Sequence, residues 1–368
     1  VTWPKGNSVS QCVDVRVDGI LQNYEVITSL AQLQGIQCTT VTKVLAGYRP
    51  LLDVLLSAGA HSIGEAHLQA LQGWSELPQE KWMIRAPVLS EVDQVVHYSD
   101  VSLNTEAATI KALGQAAQNQ DKQHNIVLMV EVGDRREGIM PEDVVGLAQL
   151  VDHTPGVNLH GLGVALGCYG GIVPSLDNLG TLVDLVEQVE SHVGFELAVV
   201  SGGSSSSIHM LQEGTLPKRI NHLRVGEALF TGRITDYRTP VWGGFLDPCT
   251  LSAEILEIKD KPSQPSGPRV PGEVPADADP HYLDQGVRRR ALVGVGRQDT
   301  AIKHLIPVDD KLQVLHGSSD VFVADITDCE THYRVGDRLY FSLDYHGILR
   351  AMVSPFVTKN LINYGPIN

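Results

Sequence analysis

Three short stretches of this 368-residue chain hold side chains able to do chemistry. In "CTTVTKVLAGY" (38–48) Lys43 is the one charge among β-branched, small and apolar residues. Lysine is almost never fully buried unless it is paired or chemically used. At the end of an apolar strand it is either a side chain snorkelling to solvent or an amine kept for a reaction. In "SGGSSSS" (201–207) two glycines free the backbone and four consecutive hydroxyls supply hydrogen-bond donors. With a helix beginning near Ser206, such a stretch can cradle a phosphate, although flexible linkers share its composition. In "LRVGEAL" (223–229) Arg224 stands two residues ahead of Gly226.

Hydrophobic periodicity outlines the elements that must position these residues. From Gly35 to about residue 230, short apolar runs alternate with helical patterns. The strand candidates begin with "QCTTVTK" (37–43), "HSIGEA" (61–66), "WMIRAP" (82–87) and "DVSLN" (100–104). They continue with "NIVLMVEV" (125–132), "VNLHGLGVA" (157–165), "ELAVVSGG" (196–203) and "HLRVGEALF" (222–230). Helices are expected at 179–190, where Leu182, Val183, Val186 and Val189 share a face, and at 105–118, capped by Asn104 or Thr105 with Glu106 nearby. Eight strands, each but the last followed by a helical stretch, predict an α/β fold of the (β/α)8 TIM-barrel type over an open doubly wound sheet. Only a short helix near 206–213 is expected before the eighth strand. An earlier strand (12–20) and helix (21–34) precede the barrel, with Val26, Leu30 and Leu33 lining one face of that helix.

After residue 235 the texture changes. "CTLSAEILEIKD", "RRALVGVGR", "VFVADIT" and "DRLYFSLD" lack helical periods and are broken by "HGSSD" and "RVGD" turns, which predicts a C-terminal, mainly β domain. The expected division is an N-terminal strand–helix over 1–35, the barrel over 36–235 and the β domain over 236–368. Pro262, Pro265, Pro268, Pro271, Pro275 and Pro280 make 261–280 a semi-rigid extended loop. It is either a surface excursion or an active-site or interface element.

In a (β/α)8 barrel the C-terminal strand ends and the loops after them build the active site. Lys43, Asn104, Arg136, Ala165, Gly203 and Arg224 all fall at or just beyond expected strand ends. A lysine, a phosphate cradle and an arginine on one barrel face suggest pyridoxal 5'-phosphate. The lysine would form the Schiff base, glycine amides and serine hydroxyls would hold the phosphate, and the arginine would meet the pyridine nitrogen.

The chain resembles the fold-type III family of alanine racemase, in particular its ornithine and amino-acid racemase branch. The stretches that carry the resemblance are "VTKVLAGY", "SLNTEAATIKAL", "LMVEVGDRREGIMPEDV", "GLGVALGCYGG", "SGGSSS", "NHLRVGEALFTGR", "RRALVGVGRQD" and "AMVSPFV", in order along nearly the whole chain. The resemblance implies that Lys43 is the Schiff-base lysine and that Arg224 faces the pyridine nitrogen. It implies a phosphate site made of Gly203, Ser204 and Ser205 with the backbone N–H groups of Gly226 and Glu227, and it sets Arg136 near the substrate carboxylate. Tyr48 matches a phosphate-contacting tyrosine, one residue further from the lysine than in the alanine racemases. Ala165 stands where those enzymes place a histidine under the cofactor ring.

A racemase also needs a second acid/base, which the alanine racemases take from a tyrosine of the partner subunit's β domain. Tyr345 in "LDYHGILRAM", Tyr169 in "GCYGG" and His346 are candidates, and Cys168 is a further one. Ordinary packing also accounts for each of them.

The resemblance therefore implies a pyridoxal-phosphate-dependent amino-acid racemase, working as a homodimer, with Lys43 abstracting the α-proton from one face. A D-amino-acid lyase or aldolase of the same fold type is the alternative. Such lyases hold a metal on a closely spaced His and Cys, for which Cys329 and His332 in "CETH" are the nearest pair. A non-catalytic pyridoxal-phosphate carrier would resemble the barrel alone.

Bulk properties agree with a soluble enzyme acting on a small-molecule amino acid. The chain is 43% hydrophobic and 19% charged. Its net charge of −15 argues against nucleic acid or an anionic membrane as partner. Five scattered cysteines with no CxxC pair point to reduced thiols in the cytoplasm, and to no zinc knuckle. No apolar run reaches membrane-spanning length, and the start "VTWPKGNSVS" lacks a signal-peptide core. The first residue is Val, so the numbered chain is expected to begin inside the encoded one. Asp134 and the acidic loop 276–284 are candidates for receiving a cationic substrate side chain such as that of ornithine.

Overall fold

Strand β1 (Gln11–Arg16) runs directly into helix α1 (Val17–Leu33). The computed structural model describes residues 10–235, 237–268 and 284–363. The chain divides into two units, Asp18–Leu246 and Val1–Val17 with Asp247–Asn368.

The first unit is a closed parallel barrel of eight strands in sequence order. They are β2 (Gln37–Val41), β3 (Ser62–Glu65), β4 (Glu80–Met83), β5 (Val101–Asn104), β6 (His124–Val130), β7 (Val157–Val164), β8 (Val199–Ser204) and β9 (His222–Val225). Closure comes from β9 pairing back onto β2, with Gln37 opposite His222 and Thr40 opposite Val225. The helices between them are α2 (Arg49–Ser57), α3 (Leu68–Gly73), α4 (Val92–Tyr98), α5 (Ala107–Asn119), α6 (Val144–Asp152), α7 (Leu176–Val193), α8 (Ile208–Glu213) and α9 (Glu227–Thr231). All eight expected strands are present, and the short helix near 206–213 is α8.

Alternation sorts each strand's side chains between two cores. Along β6, Ile126, Leu128 and Val130 pack with Ile110 and Leu113 of α5 and Val144, Ala148 and Val151 of α6. Val127 and Met129 point the other way and pack with Trp82, Val101, Leu103, Ala165 and Val199. In β7 this alternation slips by one residue, because Leu159 faces Ile126 while Gly161 faces Val127, leaving His160 as an extra residue. A Cβ on Gly161 would sit 2.0 Å from the Val199 carbonyl oxygen, so glycine is required where the strand kinks.

Local chemistry sets several boundaries. Helix α7 begins with a capping box, in which the Ser175 N–H donates to Asn178 Oδ1 (2.9 Å) and the Asn178 N–H to Ser175 Oγ (3.3 Å). It stops at Gly194, whose φ of 81° suits a residue without a side chain. Helix α5 departs from expectation. Its N-cap residue is Glu106, with no side-chain cap, while Asn104 is buried and donates to the Ser102 carbonyl (3.0 Å) and hydroxyl (2.8 Å). The expected strand at 82–87 instead ends at Met83.

Helix α1 buries Ile20, Tyr24, Ile27 and Ala31 together with Asn23, whereas Leu33 is 84% exposed. Asn23 hid this face from a hydrophobicity reading. Its amide donates to the Leu229 and Phe245 carbonyls, both at 3.0 Å, and accepts from the Phe245 N–H, which satisfies its burial.

The second unit is a mainly β sheet around the long strand β10 (Cys249–Pro262). The others are β11 (Val287–Val293), β12 (Leu305–Pro307), β13 (Gln313–Gly317), β14 (Phe322–Asp325), β15 (Arg338–Leu343) and β16 (Thr358–Ile362), with helix α10 (Tyr345–Val353). The first half of β10 pairs with β1 on one side and β15 on the other, and its second half turns to β11. Because β1 also pairs with β16, it belongs to this sheet, and the barrel unit starts after residue 17. Phe322 and Phe341 meet edge to face at 5.5 Å in the core. Residues 269–280 of the proline-rich loop lie outside the described residues, as do residues 276–283 of the acidic loop 276–284. Among the described residues no helix is long and apolar enough to cross a membrane.

Candidate active site

Lys43 follows β2 by two residues. The Thr42 N–H bonds to the Gly64 carbonyl (2.8 Å), and the Thr42 hydroxyl reaches the same carbonyl (3.2 Å) and Glu65 Oε2 (3.3 Å). The chain then makes one 3₁₀ turn over Lys43–Leu45, closed by Ala46 in the left-handed region (φ 49°). Val44 and Leu45 are buried and hold the turn down, leaving Lys43 half-buried. The neighbouring Glu65 is 1% exposed and also accepts from the Ala66 and His67 N–H groups at 2.7 and 3.2 Å. Burial raises its pKa, opposed by these bonds and by the charge of Lys43.

The serine run follows β8. Gly203 has φ 115°, and a Cβ there would lie 2.5 Å from Ser207 Oγ, so only glycine fits. Ser206 and Ser207 turn inward and donate to the Leu166 (3.2 Å) and Gly202 (2.7 Å) carbonyls. Ser205 Oγ accepts from the Gly226 (3.3 Å) and Ala228 (3.1 Å) N–H groups. The Gly226 amide, expected to be offered to a phosphate, is thus engaged by Ser205, whose hydroxyl proton stays available to another acceptor. Ser204 is half-buried. Gly226 lies against β2, where a Cβ would come within 3.0 Å of Val41. Glu227 opens α9, and its carboxylate accepts from the Thr235 hydroxyl at 3.0 Å.

Arg224 is buried at the end of β9. Its Nη2 donates to the Val164 carbonyl (2.7 Å) and its Nη1 to Ser201 Oγ. Arginine only donates, so Ser201 Oγ accepts from it, and the same hydroxyl lies 2.9 Å from His222 Nδ1. On its other side His222 Nε2 lies 2.9 Å from Thr39 Oγ1. A hydrogen-bonded chain therefore runs from Arg224 into the barrel. His222 also stacks on Trp82, rings 4.6 Å apart and 9° from parallel. Burial brings Arg224 down to about 10, still cationic at neutral pH.

Burial, helped by the charge of Arg224, pushes His222 down to about 3, and burial pushes His124, bonded to Ser102 Oγ at 2.8 Å, down to about 4. Both are neutral when folded, whereas an unfolded histidine titrates near 6.5. Below that pH the unfolded chain takes up protons that the folded chain refuses, so stability falls as pH drops toward 4. At about pH 5 the expected loss is about 2 kcal/mol per histidine. Calorimetric melting at neutral and acid pH, with a Ser102→Ala, His124→Leu variant losing less on acidification, checks this.

The loop after β6 carries Asp134, Arg136 and Glu137. Asp134 is 1% exposed and accepts from the Tyr169 (2.9 Å), Gly170 (3.1 Å) and Ile172 (3.3 Å) N–H groups. It ties the loops after β6 and β7 together, which corrects the expectation that it receives a substrate side chain. Arg136 is partly exposed and donates through Nε and Nη2 to Glu137. This pairing holds its pKa above the ordinary range. Cys168 opens to solvent at the next loop, yet crowding raises its thiol pKa, while the charges of Arg136 and Lys43 pull it down. Glu137 in turn stabilises the charge on Arg224. The ends of β2, β6, β7 and β9 thus share one electrostatic mouth, with Ala165 buried beneath it.

Tyr48 is half-buried as the N-cap residue of α2. Tyr345 is the first residue of α10 in the other unit, with its ring 6.4 Å from that of His346. Tyr169 is 76% exposed. Among the described residues no group of three or more His, Cys, Asp and Glu is arranged to hold a metal ion, Cys329 and His332 included. An open groove lined by Asp121, Lys122, Asp152 and His153 lies before β6 and β7, at the opposite strand ends. The residues missed from sequence were Ser201, His222 and Glu65. Two of them carried a signal: His222 shares a strand face with Arg224, and Glu65, like Lys43, is a lone charge at an apolar strand end.

Residues 15–233 match the family described as "Alanine racemase, N-terminal domain". The chain is 36% identical to an ornithine racemase of Acetoanaerobium sticklandii over 354 residues, 95% of this chain and 99% of that one. It is 34% identical to a lysine racemase of Thermotoga maritima, over 94% of this chain and 96% of that one. Among solved structures, alanine racemase from Streptomyces lavendulae superposes with a TM-score of 0.75 at 17% identity, covering 98% and 99% of the two chains. A D-threonine aldolase from Filomicrobium marinum reaches 0.70 at 12% identity, covering 93% and 88%. The fold is thus shared by racemases and an aldolase, while the similar sequences are those of racemases. With the family matched over more than half its length, the chain belongs to the alanine racemase N-terminal-domain family of pyridoxal-phosphate-dependent enzymes.

Proposed function

We propose that this amino-acid racemase acts on a free amino acid with a second amino group, and that Lys43 is one of its two bases. The convergence of Lys43, Arg224 and the Ser204–Ser205 corner on the mouth of one barrel carries the assignment of cofactor and base, and the likeness to an ornithine racemase and a lysine racemase supports the second amino group. The residues suit pyridoxal phosphate, because the Ser205 hydroxyl proton is not used by the amides it accepts from, and Lys43 and Arg224 are the amine and the fixed cation that the group requires. Lys43 would hold the group covalently. Gly203, Ser204 and Ser205 would hold its phosphate, with Gly226, Glu227 and Tyr48 bordering that site, and Arg224 would face the ring nitrogen. When bound, the group supplies an electron sink that acidifies the substrate Cα–H.

The remaining chemistry belongs to the chain. The Lys43 amine takes the α-proton from one face. Arg224, locked by Val164 and Ser201, presents a fixed positive charge that opposes protonation of the nitrogen it faces. Arg136 receives the substrate carboxylate as a guanidinium fork. Tyr345, from a second copy in a homodimer, returns a proton on the other face. The free thiols of all five cysteines suit a cytoplasmic setting.

Incubation with L-ornithine, L-lysine and monoamino acids, followed by chiral chromatography, tests the reading. Appearance of the opposite enantiomer, with neither ammonia nor aldehyde released, is expected. Release of either product would favour the lyase, and no turnover of any amino acid a carrier.

A further inference from the structure

We infer that Glu137 selects the substrate, binding the distal ammonium of a diamino acid whose α-carboxylate is held by Arg136. This rests on the racemase reading above. The loop carrying both residues is rigid. Its two ends are bridged by the Glu131 N–H to Ile139 carbonyl (2.9 Å) and Ile139 N–H to Met129 carbonyl (2.8 Å) bonds. Glu131 accepts from the Gly133 N–H and, at 2.8 Å, from the Arg135 N–H. Gly138 has φ 150°, and a Cβ there would lie 2.5 Å from the Glu131 nitrogen, so the loop packs against that strand with no room for a side chain.

The neighbouring carboxylates are committed. Glu65, Glu131 and Asp134 are each less than 10% exposed and each accept from two or more N–H groups. Glu137 differs in being 32% exposed and in being paired with the arginine that a substrate carboxylate would claim.

Charge balance then decides between substrates. A monoamino acid binding its carboxylate to Arg136 breaks the Arg136–Glu137 pair and strands Glu137 beside an apolar side chain. A diamino acid exchanges that one pair for two, carboxylate with Arg136 and ammonium with Glu137. The preference therefore comes from attraction to the right substrate together with the uncompensated loss of the Arg136–Glu137 pair when the wrong one binds.

The test compares kcat/KM for L-ornithine and for L-norvaline, which has the same carbon chain without the ammonium, in the wild-type holoenzyme and in Glu137→Gln and Glu137→Asp. The wild type is expected to prefer ornithine. Glu137→Gln should cut that preference about 10- to 100-fold, the worth of a charged hydrogen bond, mainly through KM. Glu137→Asp, which keeps the charge, should retain most of it. Half-saturation of the amino-acid-induced change in the cofactor's visible absorbance should shift in parallel. A preference unaltered by Glu137→Gln, one lost equally in Glu137→Asp, or a wild type without preference would each overturn the inference while leaving the racemase standing. Failure to interconvert any enantiomers would remove the racemase reading and this inference together.

Discussion

Lys43→Ala is expected to abolish covalent attachment of the cofactor and to lower racemisation by about 10²- to 10⁴-fold, the range for loss of a positioned general base. The fold should hardly notice. The turn that presents Lys43 is held by buried Val44 and Leu45 and by the Thr42 bonds to Gly64, none of which involves the lysine side chain. Loss of the charge that favours ionised Glu65 is expected to cost about 1 kcal/mol, far less than unfolding. Borohydride treatment followed by mass spectrometry separates the outcomes, because the wild type should fix the cofactor on the Lys43 peptide and the variant should fix none. A reducible adduct surviving in Lys43→Ala would mean that another amine holds the group.

Arg224→Gln is the second large effect. It removes a buried charge whose position is set by the Val164 carbonyl at 2.7 Å and by Ser201. The rate is expected to fall about 10²- to 10³-fold, as when a preorganised electrostatic group is lost from a dry site. Stability responds less. The freed Val164 carbonyl costs about 1–3 kcal/mol, partly offset because a charge no longer has to be desolvated. The variant has a signature that simple unfolding lacks. Ser201 no longer has to accept from an arginine, and His222 loses one of the charges that lower its pKa, so its titration should move upward. An NMR titration of His222 with the rate measured in parallel would check both. A variant within tenfold of wild-type rate with His222 unmoved would show that Arg224 is structural only.

The barrel was legible because a buried parallel strand must be apolar nearly throughout, and because loops between such strands are short. The strand-end positions of Lys43, Arg224 and the serine run followed from it. What remained hidden depended on polar groups satisfied far along the chain. Asn23 makes the buried face of α1 look polar until its bonds to residues 229 and 245 are known. Asp134 looks like a surface acid until its three N–H donors, 35 to 38 residues away, are seen. Ser205 and Gly226 each look like phosphate donors, yet they bond to each other. The slip in β7 was invisible for the same reason, since the space around Gly161 is set by Val199 of the next strand.

The most direct test of Lys43 as one of two bases is α-proton exchange in heavy water, started separately from the L and the D enantiomer. The wild type is expected to incorporate α-deuterium into both enantiomers from either start. With cofactor supplied, Lys43→Ala should retain exchange from one enantiomer and lose it from the other, because the opposite-face acid/base still serves its own side. Equal exchange from both enantiomers in the variant, or equal loss from both, would contradict the assignment.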